Sequence, residues 1–417
     1  MSPNKSAQSK IWVSHPTGNA NVRAVVDTFE RNQMLDTFHT CIGVGSDSKN
    51  MLTNRLFGQR RCPIPSLKIK IMPARETLRL LLQKRNWLPG LRRHESGPLC
   101  IDQVYQTLDA RVARRLKAAT NLPDALYAYE DGALQSFLAA RERGLTCIYD
   151  LPIGYWRTAR RIQSEEAELH PQWACTMHAL KDSELKLARK DSELQAADAI
   201  FVASQFTANS LKDAPFELPA PTIIPYGCPE VRLDHAPEPS GSDTLKVLYV
   251  GGLSQRKGLS YLLDAVEQLG NAVELTIIGK RVADCAPLDA ALKRYRWIES
   301  LPHEGILEVM RAHDVFVFPS LFEGFGLVLT EALSQGIPII STAHTCAPDI
   351  IEDGKEGFIV PIRDADAIAA KLSLLHADRD RLQTMKEAAL NTARSTTWAA
   401  YKNGLAEAAQ QILEDAQ

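Results

Sequence analysis

Residues 315–342 read VFVFPSLFEGFGLVLTEALSQGIPIIST. VFVF is a continuous apolar run ending at Pro319, as a strand buried on both faces requires. A loop with Gly324 and Gly326 follows, then a helical pattern from about Gly326, then a second apolar run, IPIIST (337–342). Strands alternating with helices imply a mostly parallel sheet covered by helices on both faces.

Two carboxylates sit in this stretch. Glu323 and Glu331 are eight positions apart, about 80° around a helix at roughly 100° per residue, so they are not a one-face pair. The reading puts Glu323 in the loop and Glu331 one to two turns into the helix. The amides of Gly326, Leu327 and Val328 then become unpaired helix-start donors suited to a phosphate. Gly324 and Phe325, in the same loop, join them as substrate-binding candidates. Carboxylates facing a phosphate would repel it, but on its flanks they would accept hydrogen bonds from a ribose and a sugar. A helix with an acidic first turn, favoured by its dipole, would give the same spacing, so both readings stand here.

Upstream, VGGLSQRKGLSYLL (250–263) is a strand ending in two glycines, followed by Arg256-Lys257-Gly258 at a helix opening. Arg256 could meet a diphosphate with forked hydrogen bonds and Lys257 as a point charge. A solvated basic turn has the same composition.

The alternation continues outward in both directions. IWVSH (11–15) is a strand, PTGN a turn, and 20–32 an amphipathic helix; further strands are read at 37–44, 125–129, 145–151, 199–204 and 221–226. The pattern stops in the Pro- and acid-rich stretch 229–244, read as a linker. It resumes at LKVLYVGG (245–252), with Leu259, Leu262, Leu263, Val266 and Leu269 at helical spacing, then strands at 273–278, 314–320 and 337–342. The chain ends in helices from Ala365. The expectation is two α/β units, 1–230 and 245–397, with 398–417 packing back on the first. Ligands bind beyond the carboxyl ends of the strands in such sheets, so the site belongs in the cleft between the units.

The Lys257-Gly258 element followed by Glu323…Glu331 resembles the GT-B glycosyltransferases of family 4, the group 1 transferases. EDGKEGFIVP (352–361) is similar to another recurring element of that family, and residues 193–211 with IIPYGC (223–228) look like its run into the interdomain linker. The resemblance implies a retaining, metal-independent hexosyltransferase with no cofactor beyond its nucleotide-sugar donor. Glu331 would hold the ribose, Glu323 the transferred sugar, and Arg256, Lys257 and the amides near Gly326 and Leu327 the diphosphate. The chain departs from the pattern where the family often has Arg (Gly252 here), at Thr345-Cys346, and in having only Gly18-Asn19 as a first-domain glycine pair.

In the first unit Gly18 is the substrate-binding candidate, since glycine lets backbone approach a ligand. The resemblance points to an acid/base residue after a first-unit strand. Asp150, ending LTCIYDL, is the candidate for orienting the acceptor or taking its proton, and Glu130 is the second. Each could equally be a strand-end cap. His15, His170 and His178 read as packing or surface histidines. KDSEL, at 181–185 and again at 190–194, reads as a solvated helix with i,i+4 pairs. Residues 55–93 are rich in Arg and Lys with interleaved Leu and Trp87, a composition suited to peripheral contact with an anionic membrane or a lipid-linked acceptor.

Composition narrows the class. A net charge of −2 argues against nucleic acid as a partner. The eight cysteines are scattered without a CxxC pair, which argues against structural zinc and for a reducing compartment. The first ten residues have no apolar core and no run could span a bilayer, so a cytoplasmic location is expected. The acceptor is left open: glycan, lipid-linked or small molecule. A sugar-nucleotide epimerase or a catalytically silent scaffold on the same fold are the alternatives. An NAD-dependent oxidoreductase is disfavoured because no G-x-G-x-x-G follows the first strand of either unit.

Overall fold

The computed structural model describes residues 9–49, 60–85, 87–231 and 243–416. Among them are thirteen strands in two sheets. The first holds β1 (Ile11–Ser14), β2 (Leu35–Thr40), β3 (Ile69–Ile71), β4 (Ala125–Tyr129), β5 (Thr146–Leu151), β6 (Ala199–Val202) and β7 (Thr222–Ile223), in the order β3-β2-β1-β4-β5-β6-β7. The second holds β8 (Leu245–Val250), β9 (Val273–Ile278), β10 (Arg296–Ile298), β11 (Val315–Phe318), β12 (Ile339–Thr342) and β13 (Gly357–Val360), in the order β10-β9-β8-β11-β12-β13. The registers within both sheets are parallel. These are two Rossmann-like units in a GT-B arrangement.

Central strands are long apolar runs because helices cover both faces; every residue of β4 and β11 is buried. The strands not foreseen from the sequence are β3, β10 and β13, of three, three and four residues. The first two are edge strands with charged residues, and such short runs carry no readable period.

Strand order fixes where a ligand can sit. It reverses between β1 and β4 in the first sheet and between β8 and β11 in the second. Loops leaving neighbouring strands at such a reversal diverge and open a crevice. Arg256 and Lys257 follow β8 and Glu323 follows β11, so both flank the second reversal.

Most of the stretch read as a linker, 232–242, lies outside the described residues. The last helix, Trp398–Asp415, leaves the second sheet and packs on the first unit's helix Ala20–Arg31. Lys402 Nζ lies 2.7 Å from Asp27, and the Cys228 amide donates to the Thr396 carbonyl at 2.7 Å. Trp398 stacks on Tyr226 at 5.8 Å.

The KDSEL reading is corrected. The second copy lies in the helix Glu184–Gln195 with Lys190 and Glu193 buried. Glu193 accepts from the amides of Asp131 and Ala133 and from the Tyr149 hydroxyl. Inward-facing charge looks the same as a solvated pair in sequence; only the packing partner distinguishes them.

Candidate active site

Gly258 begins the site locally. It is in the left-handed region at φ +69°, and a Cβ there would stand 2.0 Å from the Pro319 carbonyl oxygen. The β8 loop therefore presses against the β11 loop, which brings Arg256 and Lys257 onto Glu323. Arg256 Nη1 lies 3.2 Å from Glu323 Oε1 and donates to the Phe322 carbonyl at 2.6 Å. Lys257 Nζ contacts the same carboxylate oxygen and sits 4.8 Å from the Phe318 ring centroid. Burial and the adjacent Arg256 push the Lys257 pKa down, and burial does the same to Arg256. The Glu323 carboxylate is the counter-charge that both partly buried cations contact.

The helix Leu327–Ser334 begins at Gly326, which is in the left-handed region at φ +90°, with no side chain capping it. The amides of Leu327 and Val328 in its first turn are thus available to an anion. Glu331, on the same helix, is partly buried 3.9 Å from His303. Burial raises its pKa, and His303 opposes that.

Two cavities meet this region. One, of about 510 Å³, is lined by Arg256, Lys257 and Phe322 of the second unit and by Gly154, Gln163 and Lys190 of the first. The other, of about 710 Å³, is lined by Glu331, Leu327 and His303 and by Arg23, Arg61 and Lys402. Residues 256, 257 and 323 are in mutual contact, while Glu331 opens on the neighbouring cavity.

Gly324 and Phe325 face the first unit. A Cβ on Gly324 would stand 1.9 Å from the Pro152 carbonyl oxygen, so only glycine permits this approach. The Gly324 carbonyl accepts from the hydroxyls of Ser204 and, at 2.8 Å, Thr207. Phe325 meets Tyr226 edge-on at 5.1 Å. These two residues dock the domains.

In the first unit Gly18 is left-handed at φ +55°, and its amide donates to Nδ1 of buried His15. It lines neither cavity; Ala20 and Arg23, just beyond it, line the larger one. Asp150 accepts from the Tyr127 hydroxyl at 2.6 Å, lines neither cavity, and is pushed by burial up to about 7. Glu130 is paired with Lys190 at 3.2 Å. In the basic stretch, Arg60 and Arg79 are committed to buried Glu76 and Lys68 to Glu30, so the sequence overstated the free positive charge. Arg55 lies outside the described residues.

Sequence reasoning missed Gln255, Glu166 and Arg363. The Glu166 carboxylate is fully buried and accepts from Gln255 Nε2 at 2.7 Å, Tyr261 Oη at 2.9 Å and Arg363 Nε at 2.8 Å. It binds the loop carrying Arg256 to the first unit. No local signal joins positions so far apart in the chain.

Residues 231–392 match the profile of the family described as "Glycosyl transferases group 1". A putative colanic acid biosynthesis glycosyltransferase of Salmonella typhimurium is 30% identical over 181 residues, 38% of this chain and 43% of that protein. The phosphatidyl-myo-inositol mannosyltransferase of Mycobacterium leprae is 32% identical over 165 residues, 37% and 44% of the two chains. The matched stretch thus spans less than half of either relative. Among solved structures, a sucrose-phosphate synthase of Thermosynechococcus elongatus superposes with TM-score 0.66 at 17% identity, covering 98% of this chain and 100% of that one. Anabaena HepE in complex with UDP superposes with TM-score 0.64 at 15% identity, covering 97% and 100%. Residues 231–392 are thus similar to the group 1 glycosyl transferases, and the GT-B fold extends over both units.

Proposed function

We propose that the chain is a glycosyltransferase that moves a hexose from a nucleoside-diphosphate sugar to a hydroxyl acceptor, with retention and without a metal ion. The contact of Arg256 and Lys257 with Glu323, beside an uncapped helix start, carries this reading. Two partly buried cations sharing one carboxylate form a site where a diphosphate can exchange for an internal counter-ion. On exchange the phosphates take the cations and the amides of Leu327 and Val328, while Glu323 is released to accept from sugar hydroxyls. Glu331, one turn further, takes the ribose. As the bond from the anomeric carbon to the diphosphate breaks, charge grows on the leaving oxygen, and the cations and the helix start stabilise it there. They supply the charge a divalent ion would otherwise bring. The retaining outcome follows from the family resemblance.

UDP is bound by Anabaena HepE, which supports testing uridine donors first. A thermal-shift panel of UDP-, GDP- and ADP-sugars tests the reading. One base series should raise the melting temperature, and a flat response to all three would end the proposal. Transfer should persist in EDTA.

The acceptor side supports a membrane-facing substrate. The helix Pro73–Lys84 exposes Leu78 and Leu81, and Trp87 and Leu88 beside it are exposed too, with the Arg85 guanidinium 5.0 Å from the Trp87 ring centroid. Apolar groups among cations suit an anionic lipid surface. No helix among the described residues is long and apolar enough to cross a membrane. The proposed location is peripheral to a membrane, on its cytoplasmic side.

A further inference from the structure

Two thiols meet across the boundary between the units. Cys175 lies in the short helical turn Pro171–Thr176 of the first unit, and Cys285 immediately precedes the helix Ala286–Arg294 of the second. The Cys175 thiol donates to the Asp284 carbonyl at 3.2 Å, and the Cys285 thiol donates to the Gln172 carbonyl at 3.5 Å. Each sulfur therefore bonds the backbone that flanks the other. Both also reach one oxygen, since Cys175 Sγ lies 4.0 Å from the same Gln172 carbonyl. The two thiols are hydrogen-bonding neighbours of each other as well.

Their surroundings differ in a way that suits stepwise oxidation. All eight cysteines fall among the described residues; Cys175 is exposed and the other seven are buried. An oxidant needs access to a first thiol, and a disulfide needs a second thiol within reach. Cys175 meets both needs. Burial raises the Cys285 pKa, and the neighbouring Cys175 adds to the rise against the Leu288 amide. Cys285 therefore keeps its proton while Cys175 faces the solvent.

We propose that Cys175 and Cys285 form a redox modification site, closing to a disulfide that clamps the two units together when the chain meets a hydroperoxide. The Cys175 thiolate attacks one peroxide oxygen. A sulfur–oxygen bond forms, the oxygen–oxygen bond breaks, and with hydrogen peroxide the other oxygen leaves as water, taking up the proton released from Cys175. The Cys285 sulfur then attacks the Cys175 sulfenic acid. The sulfur–sulfur bond forms, and the hydroxyl leaves as a second water with the Cys285 proton. Two electrons pass from the thiols to the peroxide. In a reducing compartment the pair rests as thiols, so the cross-link marks oxidation.

The position gives the cross-link a consequence. Thr176, next to Cys175, accepts from the Gln255 amide at 3.0 Å, and the Gln255 side chain donates to Glu166. The disulfide ties covalently the boundary that these hydrogen bonds hold. A cross-link between segments far apart in the chain restricts the separated state far more than the joined one.

The test treats the full chain with hydrogen peroxide, blocks the remaining thiols by alkylation and digests with trypsin without reductant. Residues 162–181 and 282–293 are tryptic peptides with one cysteine each. The monomer mass should fall by about 2 Da, the two hydrogens lost. The two peptides should appear joined, and dithiothreitol should part them. Cys175→Ser and Cys285→Ser should each abolish the joined product; Cys175→Ser, at an exposed position, keeps the test decisive if the buried variant folds poorly. Amide exchange over residues 250–258 should slow about threefold or more in oxidised wild type, and not in oxidised Cys175→Ser. Oxygen added to Cys175 without joined peptides, a link through another cysteine, or a link only between two copies of the chain overturns the site. Joined peptides with unchanged exchange overturn the clamp.

Discussion

The side-chain amide of Gln255 donates to the buried Glu166 carboxylate at 2.7 Å, across the boundary between the two units. The Gln255 backbone amide also donates across that boundary, to Thr176 Oγ1 at 3.0 Å. The next residues are Arg256 and Lys257, so the loop proposed to meet the diphosphate is held from the opposite domain. The contacts that join the two units and the placement of the two cations therefore share one loop.

Glu166→Ala should therefore weaken both the fold and the ligand. It removes one of the two carboxylates facing Arg363 and the cross-domain acceptor of Gln255, and losing hydrogen bonds to a charged group costs about 1.5–3 kcal/mol. Urea denaturation reads the stability loss, and calorimetry should show diphosphate affinity lowered by about tenfold. Unchanged affinity in the folded variant would mean that the loop holds its own shape.

Lys257 and Glu323 should be strongly coupled in the ligand-free protein. Lys257→Met and Glu323→Gln each remove one side of this contact, while Arg256 stays beside position 323, so the double variant should be more stable than the sum of single losses implies, by about 0.5–3 kcal/mol. Diphosphate affinity should still fall in every variant lacking Lys257. Additive stabilities would break the counter-ion exchange idea.

Glu331→Ala should separate nucleoside from phosphate. Losing hydrogen bonds to a carboxylate costs about 1.5–3 kcal/mol, so affinity for the nucleoside diphosphate should drop by roughly tenfold or more. Affinity for inorganic pyrophosphate should stay unchanged. Equal losses for both would move Glu331 from the ribose to the phosphates.

Asp150 should impose a pH dependence on stability. Burial raises its pKa from 3.8 to about 7, so between those values the folded chain keeps a proton that the unfolded chain releases. Stability from this group therefore falls as pH rises from about 4 to about 7 and is flat above. Asp150→Asn removes that slope while keeping an acceptor for the Tyr127 hydroxyl. Its stability relative to wild type should rise across the same window, by an amount on the order of a few kcal/mol. Taking the difference matters, because His15 and His39, lowered by burial to about 3, slope the other way. A pH-independent difference would show that Asp150 stays charged.

The exposed face around the helix Pro73–Lys84 should bind anionic vesicles in a salt-sensitive way. Leu81→Ser with Trp87→Ser should remove most of the sedimenting fraction while leaving diphosphate affinity intact. Sedimentation that is absent in wild type, or unaffected by salt, would refute membrane contact.

Apolar periodicity and loop chemistry were enough to read two parallel α/β units, the loop position of Glu323, the helical position of Glu331 and the cations at 256 and 257. Those features are local: strand runs, a glycine turn and a helix start each lie within a few residues of one another. The tertiary structure alone decided which carboxylate meets which cation, that Gly324 and Phe325 serve docking, and that Glu166 grips Gln255 across 89 positions. It also decided that Lys190 and Glu193 turn inward and that Gln163 is buried without a partner among the described residues. Burial and pairing depend on which surfaces two separately patterned units present to each other, and no periodicity within either unit encodes that.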